Sequence, residues 1–240
     1  MPRCLKPNVA FCFLGFLIAF SIGFAQESTV PQTSPEHRII KDLLDDQRSI
    51  WTSPAHIKAR DMKWLVPFAG ISAVLIATDD RVSDRLTYSK TQLSVSHGFS
   101  DIGIDCMYGA MGLLYLDGHL THQENRIKTG LLGGEAIGDS MAVAQLLKAV
   151  TSRERPNAPG SEGKFWTGGT SFPSGHAITA WSAAAVLAKR YPHKLWIKAA
   201  AYGAASAISV ARVTGKDHFP SDVVVGGVLG YLIGSHVGRR

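Results

Sequence analysis

The stretch Ser171-Phe-Pro173-Ser174-Gly175-His176-Ala-Ile-Thr-Ala-Trp-Ser-Ala-Ala-Ala-Val-Leu-Ala188 decides how the chain is read. A proline, serine and glycine turn opens directly onto a run of apolar and small residues. Ser174 is placed to cap a helix, where its hydroxyl can accept from an N–H of the first turn. Gly175 lets the backbone come close to a ligand. The remaining N–H groups of that turn form a seat for an anion, and His176 projects from the same turn. Four residues of this kind are equally well explained as an N-cap followed by a partly buried histidine. The decision between the two comes from the flanking sequence.

On either side, from Trp64 onward, apolar runs alternate with short polar breaks. The runs predict helices near 62–78, 99–117, 127–152, 175–190, 193–213 and 221–238. Few β-branched residues alternate with period two, which argues against a sheet. Ala183-Ala184-Ala185, Ala199-Ala200-Ala201 and Gly226-Gly227 let the last three helices approach closely. The expected fold is all-α: a bundle of about six core helices with one or two short N-terminal amphipathic helices.

The chain has 240 residues, enough for one domain with a sizeable core. Residues 1–25 read as a secretory leader, with Arg3 and Lys6 before the apolar stretch Val9 to Ile22 and Gly23-Phe24-Ala25 as a cleavage context. An uncleaved N-terminal anchor has the same features, so both stay open. The domain plan is therefore a leader or anchor at 1–25, a lead-in with amphipathic helices at 26–61, and a helical domain at 62–240. Ser34-Pro35-Glu36 gives one helix start, followed by Ile39, Ile40, Leu43 and Leu44; Ser53-Pro54 gives another.

Cys4 and Cys12 lie in the leader, so the mature chain keeps only Cys106. That cysteine, between Ile104 and Met107, reads as a packed core residue. The formal charge is +6, a mild basic bias that suits anionic substrates or a membrane surface. No block of Lys and Arg interleaves with aromatics, so nucleic acid is not an expected partner.

A membrane-spanning helix needs about 18–20 uninterrupted apolar residues. Lys63 and Asp79 bracket 15 uncharged residues, Lys198 and Arg212 bracket 13, and Asp222 and Arg239 bracket 16. Asp101, Asp105, Glu135 and Asp139 punctuate the middle helices. These runs leave an exported soluble, peripheral or membrane-embedded domain open.

Two further blocks flank the first. Lys148 and Arg155 are seven residues apart on an expected helix that ends near Pro156, which would place both on one face about 10 Å apart. The plain alternative is two cations favoured by a helix C-terminus. Downstream, His218 and Asp222 are four apart across Pro220, with Arg212 just before them. One turn of spacing can bring the carboxylate to Nδ1 and leave Nε2 free. Here the alternative is an acidic residue that only favours a helix N-terminus.

In this order and spacing, Lys148–Arg155–Pro156, Pro173–His176 and Arg212–His218–Asp222 resemble the type 2 phosphatidic acid phosphatase and vanadium haloperoxidase superfamily. Ala211 departs from the pattern, where the family often has Ser. The wording around His176 and Asp222 is closer to the lipid-phosphatase branch. The resemblance implies a phosphatase acting on phosphomonoesters or pyrophosphates, including lipid phosphates. It implies a clamp of Lys148, Arg155, Arg212, Ser174 and Gly175 on the phosphoryl oxygens. His218 would be the nucleophile, Asp222 its orienter, and His176 the acid and then the base. With three cations to balance the phosphate, no metal or other cofactor is expected. The competing readings are a vanadate-dependent haloperoxidase and a non-catalytic envelope protein that binds phosphate or lipid head groups.

The other polar residues suggest no site. His119 and His122 sit in a polar break and read as a solvated loop. Asp79-Asp80-Arg81 reads as a solvated helix end; Lys216 and Asp217, next to His218, could tune its surroundings, with a solvated loop the simpler account. His193 and His236 fall at helix ends.

Overall fold

The computed structural model describes residues 39–240. The expected leader, the polar lead-in and the Ser34-Pro35-Glu36 helix start lie outside the described residues. Seven α-helices follow in order: α1 Ile39–Thr52, α2 Met62–Arg85, α3 Lys90–Leu120, α4 Glu124–Thr151, α5 Gly175–Arg190, α6 Leu195–Thr214 and α7 Pro220–Val237. No strand occurs among the described residues. Ser53-Pro54, expected to start a second lead-in helix, opens only a short 3-10 turn at Ser53–His56.

α5 is the centre of the bundle, and its small residues are the reason. Ala180, Ala183 and Ala184 pack with Ile104, Met107 and Met111 of α3 and with Ala201, Ala205 and Ile208 of α6. Ile178 and Val186 pack with Leu132, Ala136, Val143 and Ala144 of α4 and with Ile233 and Val237 of α7. Contact with α7 is closest of all. A Cβ at Gly230 or Gly234 would collide with the carbonyls of Ile178 and Ser182, so only glycine permits this spacing.

Three expectations need correction. α3 begins at Lys90, nine residues before the expected 99, because Ser89 and Gln92 form a reciprocal capping box that starts the helix early. α2 runs on to Arg85, so Asp79-Asp80-Arg81 is not a helix end. Asp79 is buried, held by an ion pair described below. Cys106 is exposed, because Ile104 and Met107 take the inward face of α3 and turn the residue between them outward.

α2 is the one helix among the described residues that is long and apolar enough to cross a membrane. Only 6% of its apolar window is buried in the bundle, and Val66, Ile71 and Val74 are exposed along it.

Candidate active site

The three sequence blocks meet at one end of the bundle, but by a different route for one of them. α4 stops at Thr151, and Ser152 takes a left-handed conformation (φ 42°) that turns the chain out of the helix. Lys148 therefore comes from the last turn of α4, while Arg155 comes from the following loop and not from the same helical face. Arg155 Nε donates to Thr170 Oγ1 at 3.3 Å. Arg212 comes from the last turn of α6 and is almost fully buried. Lys148 Nζ lies 3.5 Å from where a Cβ on Gly175 would stand. Gly175 thus keeps the α5 N-terminus open beside that amine. Burial, then Arg155 and Arg212, push the Lys148 amine down to about 8.

Ser174 caps α5 as the sequence suggests: its Oγ accepts from Ala177 N at 3.5 Å. Its own N–H donates to the Asp222 carbonyl at 3.0 Å, which ties the α5 turn to the start of α7. His176, in the first turn of α5, has Nε2 at 3.1 Å from Asp101 Oδ1. Burial and then Arg212 push its pKa down to about 4, against the pull of Asp101, so the imidazole is neutral at ordinary pH.

His218 is buried in the loop before α7, and its Nδ1 lies 3.6 Å from Asp222 Oδ2. This is an ion-pair contact slightly longer than a hydrogen bond. Asp222 Oδ2 also accepts from Phe219 N at 2.9 Å and Ser171 Oγ at 2.5 Å. Burial pushes the Asp222 carboxyl up, but His218, Arg153 and the Ser171 hydroxyl outweigh it and hold it below the usual range. Burial pushes His218 down to about 4, opposed by Asp222 and helped by Arg155 and Arg212. The imidazole is therefore a free base at neutral pH.

Asp101, Arg153 and Asp79, to which the sequence assigns no site, belong to this end of the bundle together with Asp217. Asp101 of α3 bridges His176 and Arg212 Nη1, at 3.1 Å from each. Asp217, read as loop, has Oδ2 at 3.0 Å from Arg212 Nη2 and 3.2 Å from His97 Nε2. Its Oδ1 is 4.0 Å from Arg155 Nη1. Arg153 is buried against Asp222 at 2.6 Å and Asp79 at 2.8 Å. The Asp217 contacts favour the tuning role that its adjacency to His218 allows over a solvated loop, and the Arg-Glu-Arg repeat was a usable signal for Arg153. Nothing local in the sequence marks Asp101 or Asp79. Where Ala211 departs from the family pattern, Ser100 of α3 supplies a hydroxyl instead, accepting from Arg212 Nη1 at 3.0 Å.

No group of three or more His, Cys, Asp or Glu is placed to hold a metal ion among the described residues. His119 stacks edge-on against Tyr115 at the end of α3, and His236 lies 3.4 Å from Asp46.

Residues 130–238, which carry all of these blocks, match the family model of the PAP2 superfamily. That segment of the chain is similar to the superfamily. Among its relatives, the decaprenylphosphoryl-5-phosphoribose phosphatase of Mycobacterium tuberculosis is 28% identical over 169 residues, 70% of this chain and 89% of that protein. The lipid A 1-phosphatase of Porphyromonas gingivalis is 35% identical over 69 residues, 28% of this chain and 16% of that much longer protein. Of solved structures, LpxE of Aquifex aeolicus aligns at 24% identity over 66% of this chain and 91% of its own, with a TM-score of 0.49. The PAP2-type phosphatidylglycerolphosphate phosphatase of Bacillus subtilis aligns at 23% identity over 83% and 92%, also with a TM-score of 0.49.

Proposed function

We propose that this protein is a PAP2-type phosphatase that hydrolyses phosphate monoesters or pyrophosphates of lipids through a phosphohistidine, without a divalent metal. One observation carries the reading: a buried, neutral His218 beside Asp222 sits at the same end of the bundle as Lys148, Arg155 and Arg212. An anion-binding module needs the cations but has no use for a buried free-base histidine aimed by a carboxylate. The same pair is what distinguishes this reading from the binding-only alternative.

In the proposed reaction, Lys148, Arg155 and Arg212 take the non-bridging oxygens, joined by the Gly175 N–H and the Ser174 hydroxyl. Asp101 spans His176 and Arg212 in the unliganded site, and an arriving phosphoryl group replaces its carboxylate there. His218 Nε2 attacks phosphorus, and the bond to the leaving oxygen breaks. Asp222 stabilises the imidazolium that forms. His176 is neutral in the empty site, so it takes the proton of the entering monoanionic phosphate ester and passes it to the leaving oxygen. It then takes a proton from the water that cleaves the phosphorus–nitrogen bond, releasing phosphate.

Lipid phosphate as substrate draws on two features. One relative is a lipid A phosphatase and the other acts on a decaprenyl-linked phosphoribose. The exposed apolar length of α2 also offers attachment to a membrane beside the site. Export through the N-terminal leader belongs to the same proposal, and a mature protein beginning near Gln26 is its expected signature.

The test is phosphate release by the detergent-purified protein on an aryl phosphate and a panel of lipid phosphates, beside His218→Ala. Release that survives EDTA, is inhibited by vanadate and is lost in the variant supports the proposal. Full release by His218→Ala would remove the nucleophile. Peroxide- and halide-dependent oxidation by the vanadate-loaded protein, without phosphate release, would favour the haloperoxidase.

A further inference from the structure

Arg153 has no part in the steps above, yet it is one of the most completely buried side chains among the described residues. Each of its three nitrogens donates. Nη1 donates to Asp222 Oδ1 at 2.6 Å and to Ser221 Oγ at 2.7 Å. Nη2 donates to Asp79 Oδ2 at 2.8 Å, and Nε to the Gly163 carbonyl at 3.0 Å. The guanidinium lies between two aromatic rings, 4.7 Å from the Phe165 centroid and 4.4 Å from that of Phe219. Gly163 has φ +65°, and a Cβ there would stand 2.8 Å from the Phe219 ring. That wall of the cage requires glycine.

We propose that Arg153 is a positioning residue for the nucleophile, clamping Asp222 so that it aims His218, with Asp79 of α2 as its own counter-ion. The inference rests on the phosphatase reading. The division of labour between the Asp222 oxygens is what supports it. Oδ1 is taken by Arg153, so the carboxylate cannot rotate, and Oδ2 is left to Ser171, Phe219 N and the His218 ring. Asp79 also accepts from Ser221 N at 3.1 Å and from the Ser221 hydroxyl, so α2 fixes the first turn of α7 from the other side. A lysine could not substitute, because one ammonium cannot make the fork to two carboxylates, a hydroxyl and a carbonyl while stacked between rings. The arrangement also sets charge. One cation against two carboxylates leaves a single buried negative charge, matched to the single positive charge that His218 acquires on attack.

The charged groups around this relay come from every neighbouring element. Asp222 of α7, Arg155 of the loop, Arg212 of α6 and His176 of α5 act on His218. Lys148 of α4 faces Asp222, and Asp80 of α2 faces Arg153. Arg153 and Asp79 can both be changed without touching the phosphate seat, and they carry opposite charges. Loss of the Arg153 cation makes His218 easier to protonate; loss of the Asp79 anion makes it harder.

The experiment is kcat/KM against pH on an aryl phosphate for wild type, Arg153→Gln and Asp79→Asn. The substrate's own ionisation is common to all three. Arg153→Gln is expected to move the acid limb to higher pH by about one unit. Its kcat should fall on the order of 10²-fold, with KM within about threefold because nothing that touches phosphate has moved. Asp79→Asn is expected to move the limb the other way. Unmoved limbs, or a loss confined to KM, would overturn the proposal. If Arg153→Gln does not fold, Asp79→Asn decides alone: a downward shift supports the relay and an unmoved limb refutes it. A wild type that releases no phosphate would overturn the phosphatase reading instead, and this inference with it.

Discussion

The two ends of α7 hold polar clusters of different charge balance. At its N-terminus, Lys148, Arg153, Arg155 and Arg212 face Asp79, Asp101, Asp217 and Asp222 around two histidines. At its C-terminus, Asp46 of α1 and Glu135 of α4 share Arg240, which donates 2.6 Å hydrogen bonds to both. Asp139 is buried beside them, accepting from Gln47 Nε2 at 2.8 Å. The difference lies in what each cluster has left over. The first has cations that can exchange a carboxylate for a phosphate, and Asp101 is exposed enough to be exchanged. The second has more carboxylates than cations. Burial pushes Asp139 up to about 7, with Asp46 and Glu135 adding to it. Such a cluster holds α1 against the bundle but has no seat for an anion.

The largest loss of activity is expected at the end that carries Arg212. Arg212→Ala should lower kcat/KM on the order of 10²–10³-fold, measured as phosphate release, while the melting temperature changes far less than activity. Arg240→Ala should do the reverse. It leaves Asp46 and Glu135 without their shared partner, and the partial exposure of Arg240 limits the cost to about 1–3 kcal/mol. A thermal melt should drop by several degrees, with activity at low temperature kept within about twofold. Equal losses of activity from both variants would erase the distinction.

Smaller effects are expected from pH and from conservative changes. Because Asp139 binds its proton more tightly folded than unfolded, stability should fall as pH rises from about 4 toward 7 through this group. Asp139→Asn should flatten that slope and raise the melting temperature at pH 8 by roughly 2–4 °C, with activity unchanged. His176 and His218 have the opposite sign. Both are depressed when folded, so their contribution is present above about 6.5 and is lost as pH falls toward 4. The smallest effect is expected from Ala211→Ser, because Ser100 already gives Arg212 its hydroxyl. Its kcat/KM should stay within about twofold of wild type.

Much of this was legible in the sequence because it follows from local rules. Helices α4 to α7 came from apolar runs between polar breaks, and Ser174 and the His218–Asp222 turn from capping and spacing. The nine residues missed at the start of α3 were also legible, since Ser89 and Gln92 spell a capping box before a polar first turn. What was not legible depends on packing between distant elements. Asp79 sits in a charged triplet that resembles a solvated helix end, and only Arg153, 74 residues later, makes its burial tolerable. Arg155 was placed on a helix because its spacing from Lys148 fits one, whereas the left-handed turn at Ser152 carries no proline or glycine to announce it. Asp101 was one acid among several on α3, and its meeting with His176 is set by how α3 packs on α5.

The most direct test of the account is to trap the covalent intermediate. Wild-type protein would be mixed with a labelled lipid phosphate in EDTA, quenched in alkali, digested, and its labelled peptide sequenced. The account predicts an alkali-stable, acid-labile phosphate on the peptide containing His218, absent from His218→Ala. Turnover with the label on another residue, or with no trapped phosphate and full activity in His218→Ala, would contradict it.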